Sequence, residues 1–149
     1  MSPAAFFIDT NVPIYGGGRD HALREPCLRV LELVARRRPH FVTSTEVLQE
    51  ILHHYLAVRS WRSGRSVFEA FANLMAGSTE PILPGDVRRA ADLAGTFPEL
   101  GGRDLLHAAV MQRLGLTRII SADRGFDRLP RIERLDPAEL DRWQQLVFA

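Results

Sequence analysis

The sequence predicts an α/β fold, a parallel sheet covered on both faces by helices. Short apolar runs such as Ala5-Phe6-Phe7-Ile8 and Thr117 to Ser121 have the length of buried strands. Between them lie longer stretches whose apolar residues recur at helical spacing. The two kinds alternate along the chain, and that order builds parallel sheets. At 149 residues the chain is one domain's worth, residues 1–149. A domain of that size buries roughly 68–70% of its unfolded surface, so no metal or disulfide staple is required for stability.

Taken in order, Ala5 to Ile8 is the first strand, ending in the polar turn Asp9-Thr10-Asn11. Tyr15 to Asp20, with Gly16-Gly17-Gly18, is a loop. From about His21 to Arg38 the positions of Leu28, Leu31, Val34 and Ala35 describe a helix that Pro39 ends. His40 to Thr43 is a second strand. Ser44 or Thr45 caps a helix to about Arg59, whose stripe is Val47, Leu48, Ile51, Leu52, Tyr55 and Leu56. Another helix runs to Ala76, before Gly77. Pro81-Ile82-Leu83 is a brief strand, and Pro84 with Asp86 opens a helix to about Phe97. Gly101-Gly102 begins the next, which Gly115 ends. Thr117 to Ser121 and Ile132 to Leu135 are the last strands, and a C-terminal helix follows.

Composition excludes several functions. All 19 basic residues are arginine, so no P-loop lysine, Schiff base or lysine partner for a phospho-aspartate exists in this sequence. One cysteine, Cys27, forms neither an internal disulfide nor a cysteine zinc site. Ala4 to Ile8 is too short for a membrane span or a signal h-region, so the chain is expected to be cytoplasmic, with no membrane partner. Net charge is only +1. If four carboxylates gather in one site, however, 19 arginines face 14 remaining acids, an excess of +5. An acidic pocket in an arginine-rich surface suits a phosphate polymer handled by a metal.

Asp9 and Asp123 each follow a strand, and sites in parallel sheets form at the carboxyl ends of strands. A buried carboxylate there must face a cap, an arginine or a metal. Capping is the ordinary use of one such Asp; two in one α/β chain weaken that explanation. Asp127 adds a carboxylate four residues after Asp123, or is a solvated turn residue. Glu46 and Glu50, one turn apart, stand roughly 150–170° from the apolar stripe and face a cleft or solvent. Asp104 lies in a first helical turn, where the helix dipole alone would favour it. His107, one turn on, is assigned a core or capping role in preference to ligation. Together these acids are hard oxygen donors that suit magnesium or manganese, ions that activate a water and stabilise an in-line displacement.

Ile8-Asp9-Thr10-Asn11, Ser44 followed by Glu50 in Leu48-Gln49-Glu50-Ile51-Leu52, Arg103-Asp104-Leu105-Leu106-His107-Ala108, and Ser121-Ala122-Asp123-Arg124-Gly125-Phe126-Asp127 together resemble a PIN domain. More narrowly, the chain resembles a VapC-type toxin of a bacterial type II toxin–antitoxin pair, from about Phe6 to Leu135. The resemblance implies a three-layer fold with a parallel sheet of four or five strands. It also implies an acidic pocket that binds Mg²⁺ or Mn²⁺ and cuts single-stranded RNA. Residue by residue, Asp9, Glu50, Asp104 and Asp123 match the four acidic positions, and Asp127 a further acid of some members, so Asp9, Asp104, Asp123 and Asp127 are the expected metal set. Asn11 matches a residue that positions the first aspartate, and Ser121 a hydroxyl before the fourth acid. Glu46 has no such match. A cognate VapB-like antitoxin and a homodimer are the partners implied. Two other classes stand beside this reading: a non-catalytic PIN-like module that binds RNA or a partner, and an aspartate-based phosphatase or receiver. The missing lysine opposes the latter, as does Asn11 where a phosphatase wants a second aspartate.

Overall fold

A computed structural model describes residues 4–148; residues 1–3 and 149 of the expected 1–149 domain lie outside it. Strand β1 (Phe6–Ile8) runs in the middle of a five-stranded, all-parallel sheet of order β3-β2-β1-β4-β5. Its neighbours are β2 (Phe41–Ser44) and β4 (Arg118–Ile120), with Phe7 opposite Val42 and Ile119. The edges are β3 (Thr79–Glu80) and β5 (Glu133–Leu135). Phe6, Phe7 and Ile8 are all buried, as a strand with helices on both faces requires.

The helices are α1 (Asn11–Gly17), α2 (Arg24–Arg36), α3 (Thr45–Ala57), α4 (Trp61–Leu74), α5 (Pro84–Thr96), α6 (Gly102–Leu114), α7 (Leu140–Trp143) and α8 (Gln145–Phe148). Ser44 accepts a hydrogen bond from Val47 N at the start of α3, and Asp86 accepts one from Leu83 N at the start of α5. Gly115, at φ 72°, takes the left-handed position that ends α6.

Three expectations need correction. The glycine loop is partly a helix: α1 extends to Gly17. Pro13 sits in its first turn, where a proline costs no hydrogen bond, and the glycines admit neighbouring helices. A Cβ at Gly16 would lie 2.9 Å from Leu31 Cδ1, and one at Gly17 would lie 2.8 Å from Val67 Cγ2. Tertiary packing thus overrides two poor helix formers. The strand expected at Pro81 to Leu83 lies two residues earlier, at Thr79–Glu80, because Pro81 lacks the N–H that a ladder needs. The C-terminal helix is two short segments after a 3-10 turn at Pro137–Glu139.

The order places the reversal of strand sequence between β1 and β4. In open parallel sheets the binding crevice forms at such a point, at the carboxyl ends of the strands. Asp9 leaves β1 at this edge, and Ser121 leaves β4 beside it.

Candidate active site

Asp9 is fixed from three sides. Thr10 N donates to its Oδ1 at 2.7 Å, while Ser121 Oγ (2.6 Å) and Asn11 Nδ2 (3.1 Å) donate to its Oδ2. Asn11 in turn accepts from Ala122 N at 3.1 Å, and Ser121 Oγ accepts from Asp123 N at 2.9 Å. One small network therefore ties the end of β1 to the end of β4. Asn11 and Ser121 both donate to Asp9 and hold it in place. Ser121→Ala removes a donor to a buried carboxylate and an acceptor for Asp123 N. Thermal unfolding should show a loss of about 1–3 kcal/mol.

Glu50 reaches the same place from α3. Its Oε2 accepts from Thr10 Oγ1 at 2.5 Å, and its Oε1 lies 2.9 Å from His107 Nε2. His107 Nε2 also stands 3.5 Å from Asp9 Oδ1. The imidazole is fully buried, and the 2.9 Å approach lacks the alignment of a hydrogen bond. Glu50 Oε1 and both ring nitrogens consequently have no hydrogen-bond partner among the described residues. Glu46, one turn before Glu50, faces the cleft as well: burial and the Glu50 charge push its carboxyl up, against the pull of His107 and Arg103.

Asp104 enters from the first turn of α6 and makes no capping hydrogen bond there. Burial pushes its carboxyl up to about 7, reinforced by the charges of Asp123 and Asp9. Asp123 Oδ1 accepts from Gly125 N at 2.8 Å, so Asp123 caps the turn Arg124–Arg128 and also faces Asp104. A Cβ at Gly125 would crowd Asp123 Oδ1 at 3.1 Å and touch Asp104 Oδ2 at an ordinary 3.7 Å. Burial likewise raises the Asp9 carboxyl, with His107 and Ser121 opposing. For Glu50 burial is outweighed by His107 and Thr10, which hold its carboxyl below the usual range. Burial lowers His107, yet Glu50, Asp9 and Asp104 together raise it.

Asp9, Glu50, Asp104 and Asp123 are therefore brought together. Asp127, expected in the metal set, is not among them. It is exposed, and Arg134 engages both of its oxygens at 2.9 and 3.2 Å while donating to Ser121 O at 3.1 Å. Its role is to hold an arginine that clamps the backbone behind the site. Two residues escaped the sequence reading. Thr10 contacts a residue forty positions away, and nothing in local pattern signals that. His107 lies three positions after Asp104, hence on the same helical face, and that spacing was the available signal.

Buried orphan donors and acids driven towards protonation fit a divalent cation. Donor atoms of Asp9, Glu50 and His107 all lie within 4.8 Å of one another, a group able to hold a metal ion. Size does not mark the site: grooves of about 570 and 610 Å³ lie elsewhere, one under Phe97 and Ile132, the other beside Tyr15 and Tyr55. Among the described residues no helix is long and apolar enough to cross a membrane.

Comparison with known proteins follows the same lines. The PIN domain family profile matches residues 6–132. Ribonuclease VapC13 of Mycobacterium tuberculosis is 38% identical over 128 residues, covering 86% of this chain and 97% of that protein. The crystal structure of VapC20 from the same organism, described as a sarcin-ricin loop cleaving toxin, superposes with a TM-score of 0.69 at 19% identity, covering 85% of this chain and 95% of that one. A toxin–antitoxin complex from Klebsiella pneumoniae contains a chain with a TM-score of 0.58 at 19% identity, covering 90% and 98%.

Proposed function

Since the chain belongs to the PIN-domain family, and within it to the VapC ribonucleases, we propose that it is a Mg²⁺- or Mn²⁺-dependent endoribonuclease toxin acting as a single domain on single-stranded RNA. The observation that carries this is the convergence of Asp9, Glu50, Asp104 and Asp123 at the strand ends, with Asp9 and Asp104 pushed towards protonation. Such a pocket attracts a divalent cation, because the ion replaces mutual repulsion by shared attraction.

In this proposal Asp9, Asp104 and Asp123 hold the ion, and Glu50 brings a further carboxylate to it from α3. When bound, the cation supplies charge for the phosphate oxygens and makes an attacking water more acidic. Ser121 and Asn11 keep Asp9 aimed, and Thr10 does the same for Glu50. Arg103 and Arg124 flank the site on exposed positions, and Arg19 stands on the loop after α1; their forks suit RNA phosphates. The metal class separates this reading from a passive binding module. Purified protein should cleave RNA with Mg²⁺ or Mn²⁺ and stop on addition of EDTA. Cleavage that persists in EDTA, or none with either ion, contradicts it.

The proposal includes a small VapB-like antitoxin and a homodimer. Its support is the relationship to VapC ribonucleases and the likeness to a toxin–antitoxin complex. Leu83 and Val87, exposed at the start of α5, offer apolar contact area to such a partner. Co-expression with a small reading frame adjoining this gene should relieve growth arrest.

A further inference from the structure

We propose that His107 is a nitrogen ligand in the cation site, biasing it towards manganese and related transition ions over magnesium. The inference rests on the nuclease reading for the existence of the site, and adds the identity of one ligand and its consequence for ion choice. Histidine is fully buried here, yet neither ring nitrogen has a hydrogen-bond partner among the described residues. Burying an imidazole without partners is costly, so the ring needs something the protein's own donors and acceptors do not supply. The Nε2 atom faces two carboxylate oxygens, Glu50 Oε1 at 2.9 Å and Asp9 Oδ1 at 3.5 Å. Neighbouring donors around an ion at about 2.1 Å stand about 3.0 Å apart, the spacing of Nε2 and Glu50 Oε1, and all three residues have donor atoms within 4.8 Å of one another. Glu50 Oε1 is itself without a hydrogen bond, and the same ion would satisfy it and Nε2, two of the three orphaned atoms here.

An ordinary ion pair between His107 and Glu50 explains these atoms less well. The surrounding acids favour a charged imidazole in the empty pocket, yet a permanent counter-ion should align an N–H with an oxygen, and the 2.9 Å approach does not. Ligation instead uses the Nε2 lone pair, with the ring proton on Nδ1. Magnesium prefers oxygen donors, whereas imidazole suits the later first-row ions, with manganese accepting both. Replacing His107 should therefore weaken manganese more than magnesium.

The test loads the metal-free full chain with one equivalent of Mn²⁺ and records pulsed electron paramagnetic resonance. The expected spectrum shows coupling to one directly bound nitrogen. In His107→Gln that coupling vanishes, Mn²⁺ affinity falls at least about tenfold, and Mg²⁺ affinity changes less than about threefold. A wild-type spectrum without nitrogen coupling overturns the inference, and that result needs no variant to fold. Equal losses for both ions in a folded His107→Gln overturn it too. Magnesium-dependent RNA cleavage without nitrogen coupling would leave the nuclease reading standing and remove only this one. Nitrogen coupling in a protein that cleaves no RNA would do the reverse.

Discussion

Asp104→Asn should lower RNA cleavage by about 10²–10³-fold while the protein folds normally, because the site then holds poorly the cation whose charge stabilises the reacting phosphate. Asparagine keeps the shape and the place at N3 of α6, where Asp104 makes no capping bond to lose. What disappears is a negative charge beside Asp123 and Asp9. The same variant should be more stable than wild type without metal. With its carboxyl raised to about 7, Asp104 holds a proton in the folded chain that the unfolded chain releases near pH 4. Its contribution to metal-free stability is therefore complete below pH 4 and is lost as pH rises through about 7. Asparagine escapes that loss. After allowance for solvent screening, the difference near pH 8 should be about 1–2 kcal/mol, or about 3–6 °C in Tm. Metal should narrow or invert this gap, because wild type binds the ion and the variant binds it poorly. Melting curves at pH 5 and pH 8, with and without Mn²⁺, check every part of this. A variant that melts like wild type and cleaves RNA at full rate would return Asp104 to the role of a helix-dipole residue.

Phe7→Ala should cost about 3–5 kcal/mol, the range for truncating a buried aromatic, and lower Tm by about 10–15 °C. Phe7 is wholly buried in the central strand, between Val42 and Ile119 in register. Its ring centroid also lies 5.5 Å from that of His107, so it forms part of the floor under the pocket. The loss should therefore reach the site: weaker metal binding should accompany the lower melting temperature. Urea unfolding of the metal-free variant measures the first effect, and Mn²⁺ titration the second. A loss below about 1 kcal/mol would mean that the core collapses around the cavity and β1 is not the rigid support described above.

The central strands and the long helices were legible because period and punctuation agree at each. The three-residue core of β1, Phe6-Phe7-Ile8, is apolar throughout and ends at an acid, and α6 is bracketed by glycines at both ends. Helix α1 was not legible: Gly16 and Gly17 speak against a helix, and only the approach of Leu31 and Val67 explains them. The four acids were visible as residues, and the resemblance to PIN domains selected them. Glu50 shows why that selection needed more than periodicity, since Glu46 on the same face turns towards the same cleft. Asp127 shows the limit of motif matching, because its fate was decided by Arg134, seven residues later on another strand. His107 looked like a core residue and is one by burial. Its neighbours Glu50 and Asp9, brought from 57 and 98 residues away by the fold, give it a chemical role.

If Asp9, Glu50, Asp104 and Asp123 form one cation site, anomalous diffraction from crystals of the protein soaked in Mn²⁺ should locate the ion there. A manganese peak is expected at the carboxyl ends of β1 and β4, within about 2.0–2.3 Å of oxygens from Asp9 and from Asp104 or Asp123. A manganese peak elsewhere, or none at this pocket under saturating metal, would contradict it.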